Sequence, residues 1–266
     1  MASSQYGIVS IGEDGKYDFD PTALQFREPR DLPSGAKLVM LAYGTGRSAS
    51  NLMVETPTLL APMGKACWDN AGGPAKHSIM LSLRDHDSDP AVKEFHALIR
   101  QVDDLVRAAG FANSKAWFKK TYKTPDTLSE LYTPIERKSK DKDGEEDGKW
   151  PPSVKVTLQY TDGKSKFETY DRSGTKIDID SVDLKGANVT AILVLQSVWI
   201  AGGNLFGVSV KAGQLLVEPR ATGFSGMAFR NKTLVPRSEL PHAAPSAQAP
   251  MLLEDSDDED GDPADV

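Results

Sequence analysis

The sequence contains a single cysteine, Cys67, among its 266 residues. One thiol excludes an internal disulfide and a zinc site built from several thiolates, and it is typical of a protein in a reducing compartment. Apolar runs such as Ala191–Leu195 are far too short to cross a bilayer. The N-terminal residues also lack the basic and then apolar pattern of a secretory signal. We therefore expect an intracellular protein that is not secreted and has no membrane partner.

Motifs for catalysis, nucleotide hydrolysis and metal binding are missing as well. The sequence has no G-x-x-x-x-G-K-[ST] loop and no nucleophile elbow, and its histidines lack the spacing of metal ligands. Gly44–Ala49 has the spacing of a dinucleotide-binding loop but precedes a strand, so no helix N-terminus would bind the pyrophosphate. The acids between Asp85 and Asp89 suit the start of the next helix better than a metal site. We expect no enzyme activity, no cofactor and no metal.

The net charge of −7 is concentrated near the C-terminus. Residues 254–265 contain eight Asp and Glu and no Lys or Arg, which leaves 31 basic and 30 acidic residues in the rest of the chain. The sequence therefore predicts a nearly neutral body with a strongly anionic tail, which differs physically from a uniformly acidic protein.

The segment Asn188–Pro219 contains two β-branched runs separated by a turn at Gly202-Gly203-Asn204, which predicts a β-hairpin. Its first arm is apolar on both faces and needs cover on each side. Simple alternation places Val189, Ala191, Leu193 and Leu195 on one face and Ile192, Val194, Val198 and Ile200 on the other. Gly213 predicts a bulge of the kind that bends the strands of closed barrels. We expect this hairpin to close a small barrel.

Shorter strands and one clear helix precede the hairpin. Strands are predicted at Lys37–Tyr43, Leu52–Glu55, His77–Arg84, Val154–Tyr160 and Lys166–Asp171, the first two joined across Gly44–Gly46. An amphipathic helix is predicted from the cap Asp89 to Gly110, followed by two short helical pieces.

This order predicts a mainly β fold with an inserted helical segment, an oligonucleotide-binding (OB) five-stranded Greek-key barrel. The predicted domains are an N-terminal arm (1–35), the OB-fold domain (36–219) with its helical insertion (89–131), a flexible linker (220–250) and a disordered acidic tail (251–266).

The order of segments also indicates a family. A strand ending at Arg84, a helix started by Asp-Pro, the strand KWPPSVKVTLQY, the hairpin end FETYDRSGTKI and the final hairpin VWIAGGNLFGVSVKAGQLLVEP follow one another. This order resembles the single-stranded-DNA-binding proteins of the bacteriophage T7 type, including the related family in large nucleocytoplasmic DNA viruses. The resemblance covers roughly residues 36–219 and extends to the acidic C-terminus. It implies an OB barrel that coats single-stranded DNA and uses its tail on replication partners. Phage members end in an aromatic residue, whereas this chain ends in Asp265-Val266.

Binding of a single strand requires cations along a groove for phosphates and aromatic faces on which bases stack. The segment 115–123 alternates lysines with aromatic rings: Lys115, Trp117, Phe118, Lys119, Lys120, Tyr122 and Lys123. The alternative is a helix that buries Trp117 and Phe118 in the core and leaves the lysines solvated. The sequence does not decide between the two.

A second set of candidate DNA-binding residues lies on the predicted barrel strands: Lys155, Lys166, Arg172, Trp199, Phe206 and Lys211. Trp199 lies beside the Gly-Gly turn, where its ring is either a stacking platform at a loop tip or a core residue at the end of the barrel.

The acidic tail imitates the charge of a nucleic-acid strand. We expect it to compete for the basic groove and, once DNA displaces it, to dock replication proteins such as a DNA polymerase, as the resemblance implies. The docking residues would be Leu252, Leu253, Glu254, Asp255, Asp257, Asp258, Glu259 and Asp260. A tail that only confers solubility is the alternative, and a homodimer is left open.

The first hypothesis is a non-enzymatic, sequence-tolerant single-stranded-DNA-binding protein of DNA replication, recombination or repair. A viral member would act in the nucleus or at a cytoplasmic viral replication site. The alternatives are an acidic-tailed interaction protein, such as a histone-chaperone-like module, and an RNA-binding module. Preference for DNA or RNA depends on local geometry at the 2′-hydroxyl, which the sequence does not give.

Overall fold

The computed structural model describes residues 7–46, 49–70 and 73–220. This part of the chain belongs to one compact unit. It forms, in order, β1 (Ile8–Val9), β2 (Leu24–Asp31), β3 (Lys37–Tyr43), β4 (Leu52–Glu55), β5 (Leu59–Ala61), β6 (Lys65–Asn70), β7 (Gly73–Ser82), α1 (Pro90–Ala112), α2 (Ser114–Phe118), α3 (Pro125–Ser129), β8 (Tyr132–Thr133), β9 (Glu136–Arg137), β10 (Ser153–Leu158), β11 (Tyr160–Thr161), β12 (Lys164–Ser165), β13 (Glu168–Asp171), β14 (Lys176–Ile177), β15 (Ala187–Ile200) and β16 (Phe206–Glu218).

A closed ring of five strands forms the centre of the fold. β15 pairs with β5, β5 with β7, β7 with β10, β10 with β16, and β16 pairs again with β15. Around the ring, starting from β5, the strands follow in the order β5, β7, β10, β16 and β15, which are the first, second, third, fifth and fourth of the five along the chain. The third and fifth, β10 and β16, are parallel and meet at the pair Thr157 and Lys211. The structure confirms the predicted five-stranded Greek-key barrel with an inserted helical segment.

Two bulges in the β15–β16 hairpin decide which side chains face outward. The pairing register skips Gln196 in β15 and Gly213 in β16, and the second skip is the bulge that the glycine predicts. The first skip reverses the alternation along β15, because the extra residue turns the following side chains to the other face. Val198 and Ile200 consequently lie in the core, contrary to the expected opposite face, and Trp199 points outward.

The helix α1 packs its apolar face onto the barrel. The Asp89 carboxylate accepts hydrogen bonds from the backbone N–H groups of Ala91 and Val92, which caps the helix as predicted. The apolar stripe of α1, including Phe95 and Val102, is buried in the common core. Gly110 lies inside the helix rather than at its end as predicted, and a Cβ there would lie 3.2 Å from the ring of Phe206. The glycine therefore permits close packing of α1 on the hairpin.

The N-terminal segment contributes strands to the sheet instead of forming a separate arm. β1 pairs in parallel with β4, and β2 pairs antiparallel with β3. β3 in turn pairs with β15 rather than forming a hairpin with β4, to which it is joined by one bridge between Tyr43 and Ser50. The long apolar β15 thus has β3, β4 and β5 along one edge and β16 along the other.

The remaining predictions concern loops and termini. The charged residues from 138 to 149 are all exposed. The predicted linker beyond Arg220 and the acidic tail lie outside the described residues. Of the three α-helices that the structure describes, α1 is the longest, and no helix of the described residues has the length and apolarity needed to span a membrane.

Candidate nucleic-acid interface

The outward face of β6, β7 and β10 brings an aromatic ring together with cations. Pairing between strands places Trp68 beside Lys76 and Lys155 beside Met80. Directly paired residues share one side of a sheet, and Lys76 and Met80 are an even number of residues apart on β7, so all four side chains face away from the core. The intervening Ile79 and Leu81 are fully buried. This surface is called the barrel face below.

Trp68 and Lys155 are in direct contact on the barrel face. The Lys155 Nζ lies 4.3 Å from the centroid of the Trp68 ring, which is the geometry of a cation–π interaction. Trp68 is nevertheless 49% exposed, so much of its indole is open to solvent. An aromatic surface for a base and an ammonium group for the neighbouring phosphate thus lie side by side.

The floor of the barrel face is made of small side chains. Ser78 pairs with Ala66 on one side and with Thr157 on the other. Lys211 on β16 lies opposite Thr157, which extends the barrel face across the seam between the third and fifth strands of the ring. From β6 to β16 the surface spans three strand spacings, about 14 Å. Ser78 is only 2% exposed, so the longer side chains around it, among them Trp68 and Lys155, form the accessible part of the barrel face.

Lys211 is the cation at the seam. Its Nζ donates a hydrogen bond of 2.6 Å to Oε1 of Gln196, the residue skipped by the β15 bulge. Partial burial lowers the pKa of Lys211, because desolvation penalises the ammonium form. A phosphate at this position would offset that penalty by supplying an opposite charge.

Trp199 lies on the outward side of β15, half-buried. It pairs with Gly207 of β16 and with Leu38 of β3. A Cβ on Gly207 would lie 2.9 Å from Cζ2 of Trp199, so the indole rests directly on the glycine. Of the two alternatives for Trp199, the structure excludes a plug in the barrel core and leaves a partly exposed ring beside the turn that precedes β16.

The aromatic residues of α2 lie in the core. Trp117 and Phe118 are only 2% and 5% exposed. The Phe118 ring contacts the ring of Phe206, itself fully buried, at 5.0 Å between centroids, and Trp117 contacts Phe26 at 5.8 Å. These three predicted stacking rings pack on protein side chains, because they join α2 to the end of the hairpin. In this arrangement they offer no face to a base.

The other predicted residues of segment 115–123 remain at the surface near the hairpin tip. The Tyr122 hydroxyl accepts a hydrogen bond of 3.0 Å from the Asn204 side chain, and the ring is half-buried. The lysines of this segment are exposed: Lys115, Lys119, Lys120 and Lys123. The turn between β15 and β16 therefore places this group of cations at the Trp199 end of the hairpin.

Two predicted cations lie apart from these groups. Arg172, in the turn between β13 and β14, forms an ion pair of 3.4 Å with Glu218 at the far end of β16. Seven residues of strand, about 23 Å, separate Glu218 from Lys211. Lys166 is exposed just after β12, and its backbone N–H donates to the carbonyl of Gln159. The structure thus gathers Lys155, Trp199 and Lys211 on adjoining strands and separates Arg172 from them.

Sequence reasoning missed Trp68 and Lys76. The prolines and glycines of residues 57–75 indicate an irregular loop, whereas the structure forms β5 and β6 there. The local sequence gives little signal for β6, because Lys65-Ala66-Cys67-Trp68 shows no alternation of polar and apolar residues and the next predicted strand begins only at His77. Between the first and second strands of an OB barrel, such a segment belongs to a loop that commonly contacts oligonucleotides.

Neither a protein-family model nor a curated protein sequence matches the chain. Among solved structures, the chain is similar to gp2.5, a single-stranded DNA binding protein encoded by bacteriophage T7, with 12% identity, a TM-score of 0.41, and coverage of 70% of this chain and 100% of that one. It is also similar to the single-stranded DNA-binding protein from bacteriophage Enc34, with 9% identity, a TM-score of 0.36, and coverage of 76% and 96%.

A second structure of the Enc34 protein, in complex with single-stranded DNA, is similar to this chain with 11% identity, a TM-score of 0.34, and coverage of 73% and 95%. The resemblance to the bacteriophage T7 type that the order of segments indicates thus recurs among solved structures. At these values it is a likeness in the arrangement of the chain, and the proposed function rests on the barrel face.

Proposed function

We propose that this chain is a sequence-tolerant single-stranded-DNA-binding protein that protects DNA during replication, recombination or repair and has no enzymatic activity. The barrel face would bind the strand. Trp68 would stack on a base, Lys155, Lys76 and Lys211 would contact phosphates, and Trp199 would provide a second ring at the far border. The lysines of segment 115–123 would add phosphate contacts at the hairpin tip.

The observation that supports this proposal most directly is the Trp68–Lys155 pair, with its 4.3 Å contact and its open indole. Every base has a π-face, and the open part of the Trp68 indole is a surface on which it could stack. The neighbouring outward positions hold Lys76, Met80, Thr157 and Lys211 and no carboxylate. A strand of phosphates therefore meets attraction along the barrel face without repulsion from these positions.

The acidic tail has a separate role in this proposal. Residues 254–265 would occupy the barrel face at low salt in the absence of DNA, since they present a run of negative charge. DNA would displace them, and the freed residues from Leu252 to Asp260 would then dock replication proteins such as a DNA polymerase.

Titration with fluorescently labelled oligo-dT tests the proposed function. We expect the wild-type protein to bind, with affinity that falls as salt rises by about 0.7 logarithmic units per phosphate contact and per logarithmic unit of salt. Trp68→Ala should weaken binding by about 1–3 kcal/mol, roughly 5- to 150-fold, because it removes one stacking contact. Lys155→Gln should weaken binding and reduce the salt dependence.

Lys16→Gln provides the matched control for Lys155→Gln, since Lys16 is an exposed lysine in a turn between Ile11 and Tyr17. It should leave the affinity unchanged. A wild-type protein that bound histones but not oligo-dT would contradict the proposal and favour the histone-chaperone-like alternative. Preferential binding of oligo-rU over oligo-dT would instead favour an RNA-binding module.

A further inference from the structure

An open groove lies beside the barrel face, between α1 and the segment that contains β8 and β9. Its main cavity has a volume of about 600 Å³ and is lined by Arg100 and Arg107 of α1 and by Arg137 of β9. A second cavity of about 460 Å³ adjoins it, shares the wall residues Lys138 and Glu146, and extends to Trp150. Together the two cavities are called the helix groove below.

Each carboxylate of the helix groove already has a partner. The buried Asp103 accepts hydrogen bonds from the Tyr132 hydroxyl, at 2.5 Å, and from the backbone N–H of Ile135. Two further acids form ion pairs within the fold, Asp104 with Arg107 and Glu146 with Lys138, and a carboxylate oxygen of Glu136 lies 3.2 Å from Nε2 of His96. The charges of Asp104 and Glu146 are thus balanced by neighbouring cations, and the side chains of Asp103 and Glu136 are largely buried.

Three cations of the helix groove are left over. Arg100, Arg137 and Lys140 are exposed, and none of them has an ion-pair partner among the residues that the structure describes. Trp150, at the other end of the groove, is 66% exposed, and the Lys149 ammonium lies 5.8 Å from its ring centroid. The groove thus repeats the chemistry of the barrel face, with unpaired cations and one open indole.

The pairing of β9 with β10 makes the two surfaces continuous. Arg137 pairs with Ser153, two residues before Lys155 on the same strand. Side chains two residues apart on a strand share a face, so Arg137 lies on the side of the sheet that also presents Lys155 and Trp68. The next residue inward, Glu136, faces α1, where it pairs with His96 at 3.2 Å. Arg137 therefore belongs to both surfaces.

We propose that the helix groove is a second binding segment for the phosphodiester backbone of the strand that occupies the barrel face. Arg137 would bind the phosphate where the barrel face and the helix groove meet. Arg100 and Lys140 would bind the next phosphates along the helix groove, and Trp150 would stack on a base at the other end of the groove. This inference rests on the proposed function and adds to it a path for the strand and a longer occupied length.

The test is a length series of oligo-dT, from about 6 to about 24 nucleotides, which brackets the roughly 4–16 nucleotides that one OB fold occupies. For the wild-type protein, affinity should continue to rise beyond the length that saturates the barrel face. For Arg100→Gln/Arg137→Gln, the rise should stop at that shorter length. For long oligonucleotides, the slope of log K against the logarithm of the salt concentration should also be shallower in the variant, by about 0.7 for each phosphate that it no longer neutralises. Because Arg137 also borders the barrel face, its loss should weaken the binding of the shortest oligonucleotides as well, whereas Arg100→Gln/Lys140→Gln should stop the same rise and leave their affinity unchanged.

Lys16→Gln/Lys176→Gln controls for the number of charges removed, because both lysines are exposed and lie outside the helix groove and the barrel face; Lys176 differs from the two arginines in its ion pair of 2.8 Å with Glu168. It should follow the wild-type length series. Trp150→Phe gives an independent readout, since it should remove the part of the fluorescence quenching that only long oligonucleotides produce. Urea unfolding of every variant shows whether each one is folded.

Identical length series for the wild-type protein and Arg100→Gln/Arg137→Gln would overturn the helix groove as a binding segment while short oligonucleotides still bound through Trp68. Loss of the proposed function itself has a different signature, since the wild-type protein would then bind neither short nor long oligonucleotides.

Discussion

Gly207 illustrates how a single residue shapes the barrel face. Its missing side chain leaves room for the Trp199 indole on one side and for the Thr133 carbonyl on the other, at 2.9 Å and 2.7 Å from where a Cβ would lie. Real Cβ atoms do not tolerate such distances, so either the ring or β8 has to move when a side chain is added. The position of Trp199 therefore depends on a glycine eight residues away in the chain.

Gly207→Ala should lower the free energy of unfolding by about 1–3 kcal/mol, because the added methyl group overpacks this contact. Urea denaturation measures the change. Gly202→Ala is a suitable control, since a Cβ at Gly202 meets nothing within 4 Å. Equal stabilities of the two variants would show that the indole and β8 adjust at no cost.

Single residues are also where the sequence was least informative. Lysines alternating with aromatic residues between 115 and 123 suit both an exposed stacking surface and an amphipathic turn, and the structure shows a buried Trp117 and Phe118 between exposed lysines. The choice is made by Phe206, which lies more than 80 residues away and fills the space beside Phe118. No local pattern contains that information.

At the scale of the elements, a buried carboxylate adds to the apolar packing that holds α1 to the rest of the fold. Asp103 binds the Tyr132 hydroxyl and the Ile135 N–H. Burial is the largest influence on this group and raises its pKa to about 6, although the two hydrogen bonds act in the opposite direction. A carboxyl whose pKa is raised in the folded state stabilises the fold fully at pH values below its unfolded pKa. That contribution is lost as the pH rises through the folded pKa.

Asp103 should therefore make the wild-type protein less stable at about pH 7 than at about pH 4, by roughly 3 kcal/mol from this group alone. Asp103→Asn removes the titration, so the stability difference between wild type and variant should change by that amount across this pH window. Urea unfolding at several pH values provides the measurement. Parallel curves of stability against pH for the wild type and Asp103→Asn would contradict the assignment.

The elements themselves were largely predictable. The periodicity of α1, its Asp-Pro start and the two arms of the final hairpin depend on neighbours within a few residues, and the structure shows them close to the expected bounds. The bulge at Gln196 was not predictable, because its position is set by pairing with both β3 and β16. β6 was missed because its edge position tolerates the glycines and prolines that flank it.

At the scale of the whole molecule, the distribution of charge makes a prediction about the tail. Deletion of residues 254–266 should raise the affinity for oligo-dT at low salt, because it removes a competing run of eight acids. Salt screens this competition, so the difference from the full-length protein should shrink as ionic strength rises.

Replacement of the same acids by Asn and Gln keeps the length of the tail and should have the same effect as the deletion. Equal affinity of the truncated and full-length proteins at low salt would exclude competition. The tail would then have only a role in solubility or in docking.

The seam of the barrel has a mechanical consequence. β10 and β16 close the five-stranded ring at the pair of Thr157 and Lys211. Lys155 of β10 and Lys211 of β16 both lie on the barrel face, where the DNA strand is proposed to bind. A polynucleotide bound to both β10 and β16 would stabilise the closed ring, so separation of these two strands would also require dissociation of the DNA. Binding of single-stranded DNA would therefore also raise the thermal stability of the barrel.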